Sequence, residues 1–79
     1  MATRKTRNPA VALRLLGAAV RRRREAAGLS QEAAAHGAGI SVRHYQKIEG
    51  GTTNPAYLTL LAVAAALHAA PEDLVAAAR

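Results

Sequence analysis

The sequence predicts an all-α domain of five helices, and three observations lead to it. Twenty-one of the 79 residues are alanine, the strongest helix former. Phe, Trp and Cys are absent and only two Tyr occur, so the chain lacks the aromatic content of a sheet. Glycine, proline and serine punctuate the remainder into helix-length segments. Val, Leu and Ile together supply only sixteen residues, which limits the chain to one small domain with a thin core.

Residues 1–9 are polar and basic, carry no periodicity and read as a flexible N-terminal arm. From about Ala10 the apolar residues Leu13, Leu16, Val20 and Ala27 recur at helical spacing, and Gly28 ends the run. Ser30 is placed to cap a short second helix that Gln31 and Glu32 open and that reaches about His36. Gly37-Ala38-Gly39-Ile40 forms a tight connection. Ser41 then caps a third helix, Val42 to Glu49, which stops at Gly50-Gly51. The loop Thr52-Thr53-Asn54-Pro55 leads to a fourth helix over about Ala56 to Leu67, and Pro71 with Glu72 and Asp73 starts a fifth.

Charge is distributed unevenly. The net formal charge is +6, and eight of the eleven Lys and Arg lie within residues 1–24, ahead of the first acid, Glu25. A one-sided cationic field points to a polyanion, either nucleic acid or an anionic membrane surface. The absence of cysteine excludes a disulfide framework and thiolate metal sites, and fits a reducing compartment. No stretch approaches the roughly 20 apolar residues of a membrane span. An N-terminal signal peptide is excluded because Arg14 interrupts the apolar stretch and four arginines follow it.

The segment 30–49 has the layout of a helix-turn-helix: two short helices joined by a tight turn. Ala34, Ala35, Ile40, Tyr45 and Ile48 are the inward positions. Val42, Arg43, His44, Gln46 and Lys47 face out from the second helix. Arg and Lys bond guanine edges, Gln bonds adenine, and Val touches a thymine methyl, so this face suits the DNA major groove.

The ordered set Leu29-Ser30-Gln31-Glu32, Ala35, Gly39-Ile40-Ser41, Ile48-Glu49, Gly51, Asn54-Pro55, Leu60, Ala64 and Leu67 resembles the Cro/phage-repressor (XRE) helix-turn-helix family. The resemblance covers about residues 16–75. It implies a lambda-repressor-like fold across 10–79 and a sequence-specific regulator that binds a palindromic operator as a dimer. Helix 42–49 is the implied recognition helix, with Val42, Arg43 and Lys47 reaching base edges. Gln31, His44, Gln46, Thr52, Thr53 and Asn54 are the implied backbone contacts. The family also pairs a first-helix arginine with the glutamate ending the recognition helix, which maps to Arg24 and Glu49. A poorly solvated carboxylate needs such a bidentate partner.

Departures from the family pattern accompany the likeness. Arg23 stands where a leucine is usual, and is expected either to snorkel or to share Glu49. Ala34 and Ala38 also replace leucines, and His68 replaces the glycine after the fourth helix. These changes predict a marginal monomer that depends on a dimer partner or on DNA. Leu58, Leu61 and Ala65 form a second apolar face on the fourth helix. Either a dimer partner covers it, or residues 10–16 fold back over it.

No catalytic, cofactor or metal site is read from the sequence. His36, His44 and His68 are scattered, Ser30 and Ser41 are explained as caps, and Gly37-Ala38-Gly39 lacks a dinucleotide-loop pattern. Tyr45 is assigned to the core, with its hydroxyl within reach of a phosphate at the rim. The leading class is therefore a non-enzymatic regulator of double-stranded DNA in the bacterial cytoplasm. The alternatives are a module that binds a partner protein, such as an antitoxin on its toxin, and a basic membrane-surface helix.

Overall fold

Side-chain caps fix where the helices begin. The computed structural model describes residues 8–79, which form α1 (Pro9–Ala26), α2 (Gln31–Ala38), α3 (Val42–Glu49), α4 (Tyr57–Ala66) and α5 (Pro71–Ala78), with no strand among them. Ser30 Oγ accepts the Ala33 N–H and Ser41 Oγ accepts the His44 N–H, each at 3.0 Å, as expected of N-caps. Asn8 caps α1 through Oδ1, 2.9 Å from the Ala10 nitrogen, and Pro9 occupies the first turn, so α1 starts one residue earlier than expected. Apart from Asn8 and Pro9, the arm expected over 1–9 lies outside the described residues.

One chain reversal is used four times. After α2, the Gly39 N–H bonds the His36 carbonyl and the Ile40 N–H bonds the Ala35 carbonyl, with Gly39 at φ 71°. This paired closure satisfies terminal carbonyls and needs a left-handed residue at its centre. The same bonds, shifted along the sequence, close α1 at Gly28, α3 at Gly51 and α4 at His68. The second helix consequently runs on through Gly37 and Ala38, past the expected end at His36. Glycine tolerated inside a helix is easily mistaken for the turn that follows it.

The core comprises Leu16, Ala19, Val20, Ala34, Ala35, Tyr45, Ile48, Val63, Ala64, Leu67 and Leu74. Four of these eleven are alanine. Their small size lets α2 and α4 come close: a Cβ on Gly37 would stand 3.2 Å from that of Ala66. Ile40 is only partly buried against this core, and Ala27, expected on the buried stripe of α1, is exposed. Ala27 follows the last helical residue, as the C-cap of α1.

The approach of α1 to α3 is tighter. A methyl on Gly17 would overlap the carbonyl oxygens of Ile48 and Glu49, so α1 crosses the end of α3 backbone against backbone. One turn earlier, Gly51 lies against Arg14. Residues 10–16 therefore flank the end of α3 and do not fold over the second face of α4, where Leu58 remains 74% exposed. Arg23 neither snorkels nor shares Glu49: its guanidinium pairs with Asp73 on α5 at 3.0 Å, tying the first helix to the last.

His68, at φ 55°, is the one described non-glycine residue in the left-handed region. That conformation costs a β-carbon-bearing residue about 1 kcal/mol, of which glycine's greater unfolded-state freedom offsets roughly half. His68→Gly is expected to stabilise the domain by roughly 0.5 kcal/mol and to raise Tm by a few degrees in a calorimetric melt. An unchanged or lower Tm would show that the strain is compensated elsewhere.

Candidate nucleic-acid interface

Helix α3 divides its residues by periodicity. Tyr45 and Ile48 are buried, while Arg43, Gln46 and Lys47 are exposed on the opposite side. Arg43 and Lys47, four residues apart, share one face, and neither forms an ion pair among the described residues. Val42 and His44 are half-buried at the edges of this face, and Val42 packs partly on the core. The outward face is thus short, cationic and mounted on fixed anchors.

A polar chain holds it in place. Arg24 Nε and Nη2 grip the two oxygens of Glu49 at 2.6 and 3.3 Å, and Arg24 Nη1 donates to the Leu29 carbonyl at 2.9 Å. The side chains of Arg24 and Glu49 are 13% and 5% exposed. Gln31 Nε2 donates to Glu49 Oε1 at 3.0 Å, and Gln46 Nε2 donates to Gln31 Oε1 at 3.1 Å. One connected set of bonds therefore joins α1, the first residue of α2, and both the outward face and the last residue of α3. Arg24 and Glu49 meet as the sequence predicts. Gln31 and Gln46, expected from the sequence only as DNA-backbone contacts, also belong to the scaffold.

Electrostatics follow from this arrangement. Burial alone would raise the Glu49 carboxyl, but hydrogen bonds from Arg24 and Gln31, with the Tyr45 hydroxyl alongside, hold it below the ordinary carboxylate range. The Arg24 guanidinium is correspondingly raised by its bond to Glu49. Burial, and then the neighbouring carboxylate, push the Tyr45 hydroxyl well above its usual value. That hydroxyl is fully buried beside the pair without completing a hydrogen bond, so it does not reach the rim as the sequence reading allowed.

After Gly51 the chain turns outward. Thr52 donates to the Lys47 carbonyl from both its backbone nitrogen, at 3.0 Å, and its Oγ1, at 3.3 Å. Thr52 and Asn54 are exposed and Thr53 is half-exposed, so all three edge the same end of α3. Two features of the site escaped the sequence reading. Gly17 is seven residues before Arg24, on one helical stripe, and a glycine in mid-helix signals a close backbone approach. The Arg23–Asp73 pair spans fifty residues and has no local signal.

Residues 15–78 match the family model described as a helix-turn-helix domain. The chain belongs to the helix-turn-helix family. Among solved structures it is similar to the restriction-modification controller protein C.AhdI from Aeromonas hydrophila, at 34% identity and TM-score 0.76, covering 78% of this chain and 94% of that one. It is also similar to the clp gene regulator ClgR from Corynebacterium glutamicum, at 26% identity and TM-score 0.79, covering 94% and 76%. The competence regulator ComR from Streptococcus vestibularis aligns at 26% identity and TM-score 0.73, over 87% of this chain and 22% of its own length. No curated protein matches the sequence. Like its neighbours, this helix-turn-helix chain is all-α among the described residues, and none of its single helices is long and apolar enough to cross a membrane.

The buried pair gives the helix-turn-helix domain a defined acid response. Glu49 stays ionised in the fold at pH values where an unfolded glutamate takes up a proton. Its contribution is therefore complete above the ordinary range, about 4.3, and is withdrawn as pH falls from there through the lowered folded value. Glu49→Gln is expected to cost about 3 kcal/mol at neutral pH, because it leaves Arg24 buried and unpaired. The gap between wild type and variant should narrow in urea titrations as the pH drops below that range. A gap independent of pH would show that Glu49 acts through packing alone.

Proposed function

We propose that this chain is a sequence-reading, dimeric DNA-binding transcription regulator that presents α3 to the major groove. The observation that supports this best is the outward face of α3, where Arg43 and Lys47 stand exposed without acidic partners on a helix fixed by Tyr45, Ile48 and the Arg24–Glu49 pair. A guanidinium or ammonium held on a rigid helix suits bonding to guanine O6 and N7, and Val42 lies where a thymine methyl would meet it. The neighbours named as a controller protein and a gene regulator support the same reading.

Phosphate contacts fall to the groups around this face. Gln31 opens α2, where backbone N–H groups favour an anion, and its amide keeps one hydrogen after bonding Glu49. His44, Gln46, Thr52, Thr53 and Asn54 complete the rim on both sides of α3. A single domain with so short a reading helix covers one half-site, so a palindrome with half-sites about 34 Å apart calls for two copies. Tyr57 and Val75, at 72% and 44% exposure, line a groove between α4 and α5 with Leu61, Pro71, Glu72 and Arg79, and Leu58, next to Tyr57 in the chain, is 74% exposed. We assign this face to the second copy, because α1 leaves it uncovered. In this reading the protein works in the cytoplasm on double-stranded DNA and catalyses no reaction.

Two measurements test the reading. Arg43→Ala should cost about 1–3 kcal/mol against a duplex selected from a random pool and relax preference at one base pair. Asn54→Ala should weaken selected and random duplexes alike in fluorescence anisotropy. Equal losses for both variants on both duplexes would remove Arg43 from base readout. Separately, the wild-type Tm should rise with protein concentration, while Leu58→Glu, at a position that is already exposed, should keep its helix content and sediment as a monomer. Wild type that sediments as a monomer at every concentration would remove the dimer.

A further inference from the structure

The family match covers residues 15–78, while α1 begins at Pro9. Arg14 lies on the second turn of α1. It is exposed, it makes no ion pair or hydrogen bond among the described residues, and its backbone rests against Gly51. Gly51 begins the turn into Thr52-Thr53-Asn54, which edges the reading helix. The start of α1 therefore sets an exposed arginine, by its backbone and the base of its side chain, against the chain at the C-terminal end of α3.

The other arginines of α1 are accounted for differently. Arg21 pairs with Glu25, Arg23 with Asp73 and Arg24 with Glu49. Arg22 is exposed and unpaired among the described residues, but it lies eight residues, about 12 Å, farther along the helix from the loop. Arg14 is thus the unpaired arginine of α1 nearest that loop among the described residues.

We propose that Arg14 is a DNA-phosphate anchor that extends the contact surface past the C-terminal end of α3 onto the flank of the half-site. This inference rests on the DNA-binding reading and adds to it a contact outside the recognition helix and the loop that follows it. The ligand is the phosphodiester backbone, so the contact strengthens binding without choosing a sequence. A competing role is local: an arginine near the end of α3 also complements that helix's C-terminal partial charge. The two roles differ in what they move, since the local one acts on stability and the anchor on salt-dependent affinity.

Arg14→Gln separates them, because glutamine retains the stem that lies on Gly51 while removing the charge. Affinity of full-length protein is measured against a selected duplex and a random-sequence duplex over a range of salt concentrations, with a thermal melt of each variant. We expect Arg14→Gln to weaken both duplexes by the same factor, roughly three- to tenfold, and to flatten the log–log salt slope by about 0.9 per protomer. Arg14→Lys should restore the slope, and Tm should stay at the wild-type value. A wild-type salt slope in Arg14→Gln, a loss confined to the selected duplex, or a lowered Tm with unchanged binding would each overturn the anchor. If that happens while Arg43→Ala still loses selectivity, the DNA-binding reading stands and only the anchor falls. Wild type that binds neither duplex would remove both.

Discussion

Glu49 ends α3 with its carboxylate turned away from solvent, and the rest of the site is organised around satisfying it. Arg24 answers with a two-point grip from α1, and Gln31 adds a third bond from the start of α2. Three helices are thereby registered against one charged group. Buried ion pairs seldom add much net stability, since desolvation offsets most of the attraction. Their value here is geometric: an unsatisfied carboxylate at this point is costly, so alternative angles between α1, α2 and α3 are penalised. Gln46 continues the same bonds onto the outer surface of α3, so that the orientation of the exposed face is linked to the buried charge.

The alanine-rich core has a related logic. Ala34 and Ala64 are fully buried, and their small side chains let α2 and α4 approach closely, with no leucine layer between them. Close approach preserves packing density while reducing the apolar area removed from water. Larger groups are confined to a few positions: Leu16, Tyr45, Ile48, Leu67 and Leu74. The Arg23–Asp73 bridge occupies a place where apolar packing would otherwise join the first and last helices. Being half exposed, it contributes little by itself. Apolar surface that the inner faces do not bury is found outside, at Tyr57, Leu58 and Val75.

Much of this was legible in the sequence because the deciding interactions are local. Ser30 and Ser41 cap what they were expected to cap, and α3 spans Val42–Glu49 as read. Arg24 and Glu49 followed from a family resemblance and from the needs of a buried carboxylate. Boundaries were misjudged where glycine is ambiguous: Gly37 is helical, and only Gly39 adopts the left-handed turn. Partners distant in sequence were not legible. Nothing near Arg23 announces Asp73, and nothing near Arg14 announces Gly51, because those contacts exist only once α1 has been laid across α3. The hydrogen bonds among Gln46, Gln31 and Glu49 are of the same kind.

The crossing at Gly17 bears on how such a domain can change over time. Where α1 meets α3 backbone to backbone, no side chain sets the spacing, so no side-chain replacement can adjust it gradually. Positions 17, 24 and 49 are therefore locked together, and drift at any one is opposed by the other two. Arg43 and Lys47 project away from this frame and support none of its contacts. The scaffold and the exposed face are thus separable properties of one short helix. A lineage of such proteins can exchange these two exposed residues with the fold left intact at every step.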